Sequence, residues 1–296
     1  MPVRLVLDTS AVRKHLHRDA DRIDLEMIRK NRDDLLVSLP DIAPAELVKQ
    51  LLEASIKWGE WGRIAELDAL LDPVMPVIAG GRELALISGL FPVADFDEED
   101  SRRYYKAGWN LLVRSRSRSA LSRGIEYRDR RGRRRRRKLR AEPNHIDQVF
   151  EDERRGWKEF LDEMKGIPGL AEQPRAEIGR IVDLAMTPGA GEAADLPDKL
   201  EAQRRILARY IAEYLRKKEP YNPVSPKNKG DIIDFTMLMV LALPDTVICT
   251  ADENTLIKRL REGGSNQLRR VITPQELNQH LNEGTLLERF SIVRST

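Results

Sequence analysis

Apolar residues fall in short dense runs near the two ends of the chain and at helical spacing through its middle. VRLVL at 3–7 has a single charged position, the pattern of a short strand buried on both faces. Over 11–34, Leu16, Ile23, Met27 and Ile28 recur at helical spacing and predict a charged helix. LLVSL at 35–39 reads as a strand or the apolar end of a helix, closed by Pro40. Leu47, Leu51 and Leu52 predict a helix over 43–56, and another covers 61–71. The apolar residues at 74–78 are too few and too broken by proline to assign.

From Asp97 to Tyr221 the pattern predicts charged helices over 97–121, 144–165, 174–186 and 198–218, with no strand. GIPGL at 166–170 and TPGAGEAADLP at 187–197 separate them. After PYNPVSPKNKG at 220–230, DIIDFTMLMVLAL reads as an apolar helix and TVICT at 246–250 as a strand. ADENTLIKRLREGG predicts a helix stopped at Gly263, and RRVIT at 269–273 a short strand. Thr273, Pro274 and Glu276 form a capping box for a helix over 274–282. The simplest architecture is one α/β domain from 1–95 plus 222–296, interrupted by a helical insertion at 96–221.

Composition narrows the class. The 296 residues are 41% hydrophobic, enough for a core, yet nowhere reach the roughly 18 apolar residues of a membrane span. The apolar run in MPVRLVLDTSAV is too short for a signal peptide, and Cys249 is the single cysteine, which excludes a disulfide framework and a cysteine zinc site. A cytoplasmic protein is expected. The net charge of +3 conceals an asymmetry: residues 114–140 carry thirteen arginines and Lys138 against Glu126 and Asp129, a net +12 that leaves −9 for the rest. An acidic body with one arginine-rich segment points to a polyanionic partner.

Acidic residues recur beside the apolar elements. Asp8 ends the first strand, Glu46 lies early in the helix after Pro40–Asp41, Asp231 and Asp234 open an apolar helix three residues apart, and Asp252 follows the strand at 246–250. In a parallel α/β sheet, strand carboxyl ends and helix amino ends open on one edge, where ligands bind. Clustered carboxylates need cations, and oxygen donors without cysteine or a suitable histidine pair favour Mg²⁺ or Mn²⁺. Two such ions serve phosphodiester hydrolysis. Taken singly, Asp8, Asp231, Asp234 and Asp252 read more readily as helix caps than as ligands, and Glu46 as a surface helix residue. Only the combination points to chemistry.

The series VLDTSAV, PDIAPAELVKQLL, GDIIDFTMLMVLAL and VICTADENTLI resembles the PIN-domain nucleases. On that resemblance Asp8, Glu46, Asp234 and Asp252 are the catalytic acids. Asp234 stands 18 residues before Asp252, room for a helix, a turn and a strand, while Asp231 is a close alternate or an additional metal ligand. The resemblance implies a Rossmann-like fold with a central parallel sheet, a divalent-metal site and cleavage of RNA. Thr9, Ser10 and Thr250 would orient a carboxylate, a water or a phosphate, or else only satisfy strand ends. The interval of 185 residues from Glu46 to Asp231 departs from compact PIN toxins, so a toxin or antiviral-defence role is an analogy.

Residues 114–140 have too little apolar content to fold alone. Arg130, Arg131, Arg133, Arg134, Arg135, Arg136, Arg137, Lys138 and Arg140 are candidate contacts to a nucleic-acid backbone, strong and salt-sensitive but without sequence selectivity. Tyr105, Trp109 and Leu112 at helical spacing, with Trp58 and Trp61, read as packing residues, and Cys249 as a buried hydrophobe. The expected partner is RNA, with DNA as the alternative. A homo-oligomer and an inhibitory or effector protein are left open, and no membrane is expected. Two other rivals are a non-catalytic RNA-binding module on a PIN scaffold and a haloacid-dehalogenase-like phosphatase. The latter needs an Asp where Ser10 stands.

Overall fold

The structure is a computed structural model that describes residues 2–53, 58–78, 98–128, 133–136, 143–174, 177–181, 201–216, 221–228, 230–243, 245–263 and 266–286. Strand β1 (Val3–Leu7) leads into helix α1 (Thr9–His17), then α2 (Leu25–Lys30), β2 (Leu35–Pro40), α3 (Ile42–Leu52), α4 (Trp58–Trp61), α5 (Ile64–Asp68) and β3 (Val77–Ile78). Next come α6 (Glu98–Arg114), α7 (Arg118–Ile125), the ribbon β4 (Glu126–Arg128) and β5 (Arg134–Arg136), α8 (Pro143–Lys165) and α9 (Glu201–Arg216). The final described stretch holds α10 (Asp231–Met237), β6 (Thr246–Cys249), α11 (Lys258–Gly263), β7 (Val271–Ile272) and α12 (Pro274–Glu283).

The main sheet is parallel with order β3-β2-β1-β6-β7, an α/β fold. Its strands are buried on both faces, and the two-residue side-chain period divides them between two cores. Val3, Leu5, Leu7, Val37, Leu39, Val247, Cys249 and Ile272 share one core with α1, α2, α3, α5, α6 and α12. Val6, Ile78, Ile248 and Val271 share the other with α9, α10 and α11. A third cluster joins Leu161 and Met164 of α8 to Leu207 and Ile211 of α9.

Several expected elements are divided. The helix over 11–34 is two, because Arg18 adopts a left-handed conformation (φ 59°) and Asp24 caps α2 through Glu26 N and Met27 N. No buried apolar residue falls between Leu16 and Ile23 to reward a continuous helix. The helix over 97–121 breaks at Ser115–Ser117, where Ser115 Oγ donates to Leu111 O at 2.7 Å and Ser117 Oγ accepts from Ala120 N at 3.0 Å. Of the helix expected over 61–71 only α5 at Ile64–Asp68 forms, after a separate short turn, α4, that ends at Trp61. Two-residue β3 pairs with Leu39 and Pro40, a contact invisible to local periodicity. Pro73 and Pro76 both precede it, bounding and breaking the apolar run at 74–78, which is why the segment left no readable pattern.

The arginine-rich segment also holds the antiparallel ribbon β4–β5, registered Glu126↔Arg136 and Arg128↔Arg134, although no strand was expected there. Backbone pairing requires no apolar side chains, so low apolar content was the wrong criterion. Arg130, Arg131, Arg137, Lys138 and Arg140 lie outside the described residues.

The apolar run after Asp231 tightens from α10 into a 3₁₀ turn at Leu238–Ala242. Arg270, expected in a strand, instead ends a 3₁₀ turn at Asn266–Arg270. Its guanidinium donates to Thr246 O at 2.7 Å, Leu241 O at 2.8 Å and Leu243 O at 2.7 Å, tying α10's exit to the start of β6. Burial lowers the Arg270 pKa to about 10, which leaves it charged at neutral pH. Arg270→Met should cost about 3 kcal/mol or more in urea denaturation, because three carbonyls lose their donor, while the exposed Arg269→Met stays within about 0.5 kcal/mol.

Candidate active site

The site begins with strand register. Leu7 pairs with Cys249, so the next residues on each strand, Asp8 and Thr250, stand side by side. Asp8 N donates to Cys249 O and Thr250 N to Ile272 O, both at 2.9 Å, continuing the ladder past the strand ends. The chain runs outward from β1 to β2 and β3 on one side, and β6 and β7 lie on the other. The carboxyl ends of β1 and β6 therefore flank the point where strand order reverses, the crevice in which open α/β sheets bind ligands.

Hydroxyl groups fix Asp8. Ser10 Oγ donates to Asp8 Oδ2 at 2.5 Å and Thr250 Oγ1 donates to the same oxygen at 2.8 Å. In return Ser10 Oγ accepts from Ala251 N at 2.8 Å, and Thr250 Oγ1 accepts from Asp252 N at 3.1 Å. The loop bearing Asp252 is thus stitched to the start of α1. Asp8 also caps that helix through Ser10 N at 3.4 Å, so the capping role and the place at the sheet edge coexist. Beyond Asp252 the chain makes a π turn at Glu253–Ile257 where an α-helix was expected, with Ile257 N donating to Asp252 O at 3.2 Å.

The other acids come from helices. Burial, opposed by the hydroxyl contacts, raises the Asp8 pKa. Burial pushes Glu46 of α3 up to about 7, partly offset by the Thr9 hydroxyl and reinforced by the Asp8 charge. Asp234 of α10 is raised well above its usual value, first by burial and then by Asp8 and Asp252. Asp8 and Asp252 therefore both act electrostatically on Asp234, and Asp8 acts on Glu46. Among the described residues, no three His, Cys, Asp or Glu side chains are arranged as a ready-made metal cage.

Asp231 is differently engaged. It is buried, 4% exposed, and its Oδ1 lies 2.6 Å from Arg259 Nη1. The same nitrogen is 3.7 Å from Asp234 Oδ2. Arg259 belongs to α11 and lies over the Tyr210 ring, 5.5 Å from its centroid. Tyr210 stacks on Tyr221 at 4.3 Å, and Trp157 of α8 meets Tyr210 and Phe235 edge-on. Burial opposes the Arg259 charge, but Tyr210, Asp231 and Asp234 outweigh it and raise the pKa. Reading the sequence missed Arg259. Its only local sign is position in a charged helix pattern, and its partners are 25 and 28 residues away.

Trp61 and Trp109 are buried packing residues that also donate, to Ser115 O at 2.8 Å and Asp68 Oδ1 at 2.6 Å. Cys249 is fully buried and its thiol pKa is raised by burial, as expected of a hydrophobe in a strand. The side chains of Trp58 and Tyr105 lie outside the described residues. The described part of the arginine tract shows Arg133 exposed. No family model, curated protein or solved structure matches the chain.

A metal-free test of the carboxylates follows from Glu46. Its folded-state pKa, about 7, exceeds the ordinary 4.5, so its favourable contribution is complete below 4.5 and is lost as pH rises through 7. Holding it ionised costs about 3 kcal/mol. In EDTA, Glu46→Gln should raise Tm over wild type by an amount that grows between pH 5 and 8 to about 5 °C. A pH-independent difference would remove Glu46 from the buried set. Asp234→Asn should likewise stabilise the EDTA-treated chain, because it deletes repulsion from Asp8 and Asp252.

Proposed function

We propose that the chain is a PIN-like, divalent-metal-dependent endoribonuclease with a helical insertion between the two parts of its catalytic domain. The observation that carries this reading is the meeting of acids from β1, α10 and the β6 loop at the reversal of strand order, where Asp8 and Asp252 both raise the Asp234 pKa. Repelling, partly buried carboxylates favour a cation over apposed solvent. The donor set fits Mg²⁺ or Mn²⁺, being all oxygen, with Cys249 buried inside β6.

Asp8, Asp234 and Asp252 would hold the ion with Glu46 alongside. A divalent cation bound there supplies Lewis acidity at a phosphodiester oxygen. Ser10 and Thr250 keep Asp8 in one orientation through the bonds to its Oδ2. Glu46, whose pKa is raised to about 7 by burial without a cation, would return to its ionised form beside one and add negative charge to the donor set. Asp231 then acts as the anchor of Arg259, whose guanidinium lies 3.7 Å from Asp234 and would neutralise charge on a phosphate brought to the acids. The arginine-rich segment would hold RNA by its backbone.

The test is cleavage of end-labelled RNA and matched DNA with Mn²⁺, Mg²⁺ or EDTA. Metal-dependent RNA cutting is expected, lost by about 100-fold or more in Asp8→Asn and Asp252→Asn. Arg259→Gln should lower the rate by about tenfold or more. Cutting confined to DNA would move the reading to a DNA-acting member of the superfamily, and binding without cutting would leave a non-catalytic RNA-binding scaffold. Endoribonuclease activity that persists in both Asp variants would contradict the assignment of the acids.

A further inference from the structure

Within the arginine-rich segment the ribbon β4–β5 gives the positive charge a defined arrangement. Its register pairs Arg128 with Arg134, Tyr127 with Arg135 and Glu126 with Arg136. With a side-chain period of two, Arg128, Arg134 and Arg136 share one face with Glu126, and Tyr127 and Arg135 share the other. The first face therefore holds three arginines in a patch, not a line. Arg128 and Arg134 stand about 5 Å apart across the strands, and Arg136 lies about 7 Å further along β5. Like charges directly opposite destabilise a ribbon, and Glu126 sits opposite only Arg136. Such a face is stabilised by a polyanion. Arg133, at the entry to β5, is exposed and adds to the local charge.

The ribbon is rooted on the α/β domain. α7 ends at Ile125 and β4 begins at Glu126, with no residue between them. Leu121 of α7 is fully buried in the core that also holds Trp109 and Leu112 of α6. Gly124 lets α7 close on Leu111, whose side chain a Cβ there would meet. Trp61 Nε1 donates to Ser115 O at 2.8 Å and fixes the turn before α7. α7 also packs on α3, the helix that carries Glu46. A nucleic acid held on the ribbon is thus held by the body that carries the acids.

Two features favour a double helix over a single strand. Single strands are held by bases stacking on exposed aromatic rings along a basic groove. Every described tryptophan, tyrosine and phenylalanine side chain is at least partly buried, and Tyr127 lies on the ribbon face away from the arginine patch. A duplex instead offers phosphates of two strands, and a patch two strands wide can meet both. A-form RNA has a deep, narrow major groove that brings those phosphates together, whereas the B-form groove is about 12 Å wide. We propose that the β4–β5 ribbon docks double-stranded RNA across its major-groove phosphates through Arg128, Arg134 and Arg136. That this RNA is also the substrate rests on the endoribonuclease reading, and the double-stranded form is what the ribbon adds.

The test is fluorescence anisotropy of the full chain in EDTA, so that binding is read without cleavage. The probes are an RNA duplex of about 20 base pairs, one of its strands alone and the matching DNA duplex. The RNA duplex should bind about tenfold or more tighter than its strand, and tighter than the DNA duplex. Arg128→Gln, Arg134→Gln and Arg136→Gln together should weaken it about tenfold or more and reduce the slope of log affinity against log salt by about three. Tyr127→Pro keeps every arginine but breaks the backbone pairing, and should abolish the preference for duplex. Equal binding of strand and duplex, tighter binding of DNA, or a duplex preference that survives in both variants would each overturn the proposal. Duplex preference without RNA cutting in Mn²⁺ would sink the nuclease reading alone, and RNA cutting without duplex preference would sink only this one.

Discussion

Everything at the candidate site depends on one pairing, the parallel ladder between β1 and β6. Its Leu7↔Cys249 register joins residues 242 apart and sets Asp8 against Thr250. A slip of one residue would turn Val6 and Ile248 into the other core and carry Asp8 away from the hydroxyls that orient it. The register is well determined because both faces of both strands are buried, so misalignment exposes apolar side chains on two sides at once. The Arg270 clamp reinforces it by fixing where β6 begins.

On that frame the helices around α10 manage charge. α10 reaches the sheet edge with two acids on one face, and they divide the work. Asp234 interacts with Asp8 and Asp252, whereas Asp231 pairs with Arg259. Arg259 is in turn seated on Tyr210, within an aromatic cluster that includes Trp157 from α8. The helices between β5 and β6 therefore do more than lengthen the chain. They build the wall that holds the positive charge beside the carboxylates, which a site made of acids alone would lack.

Much of the frame was legible in the sequence. VRLVL, TVICT and the Thr273 capping box each carry their own local signal, and each stands where the pattern placed it. The position of Asp8 at the end of a doubly buried strand was legible, but the capping role that it also fills gives it a second reason to be there. What escaped detection depended on distant partners. β3 is a strand only through its pairing with β2, Arg259 matters only through Asp231 and Tyr210, and Arg270 through carbonyls 24 to 29 residues earlier. The division of 11–34 turns on Arg18 in a left-handed conformation, which an arginine adopts only when the surroundings require it. The β4–β5 ribbon was missed because apolar content reports on cores and not on backbone pairing.

The central claim is that repelling carboxylates at the strand-order reversal form a cation site. It is tested most directly by titrating the metal-free chain with Mn²⁺ and following free ion by electron paramagnetic resonance. Saturable binding is expected, weakened by about tenfold or more in Asp8→Asn and Asp234→Asn and retained in the exposed-arginine variant Arg269→Met. Mn²⁺ binding that is absent, or unchanged when both Asp8 and Asp234 are amidated, would contradict the account.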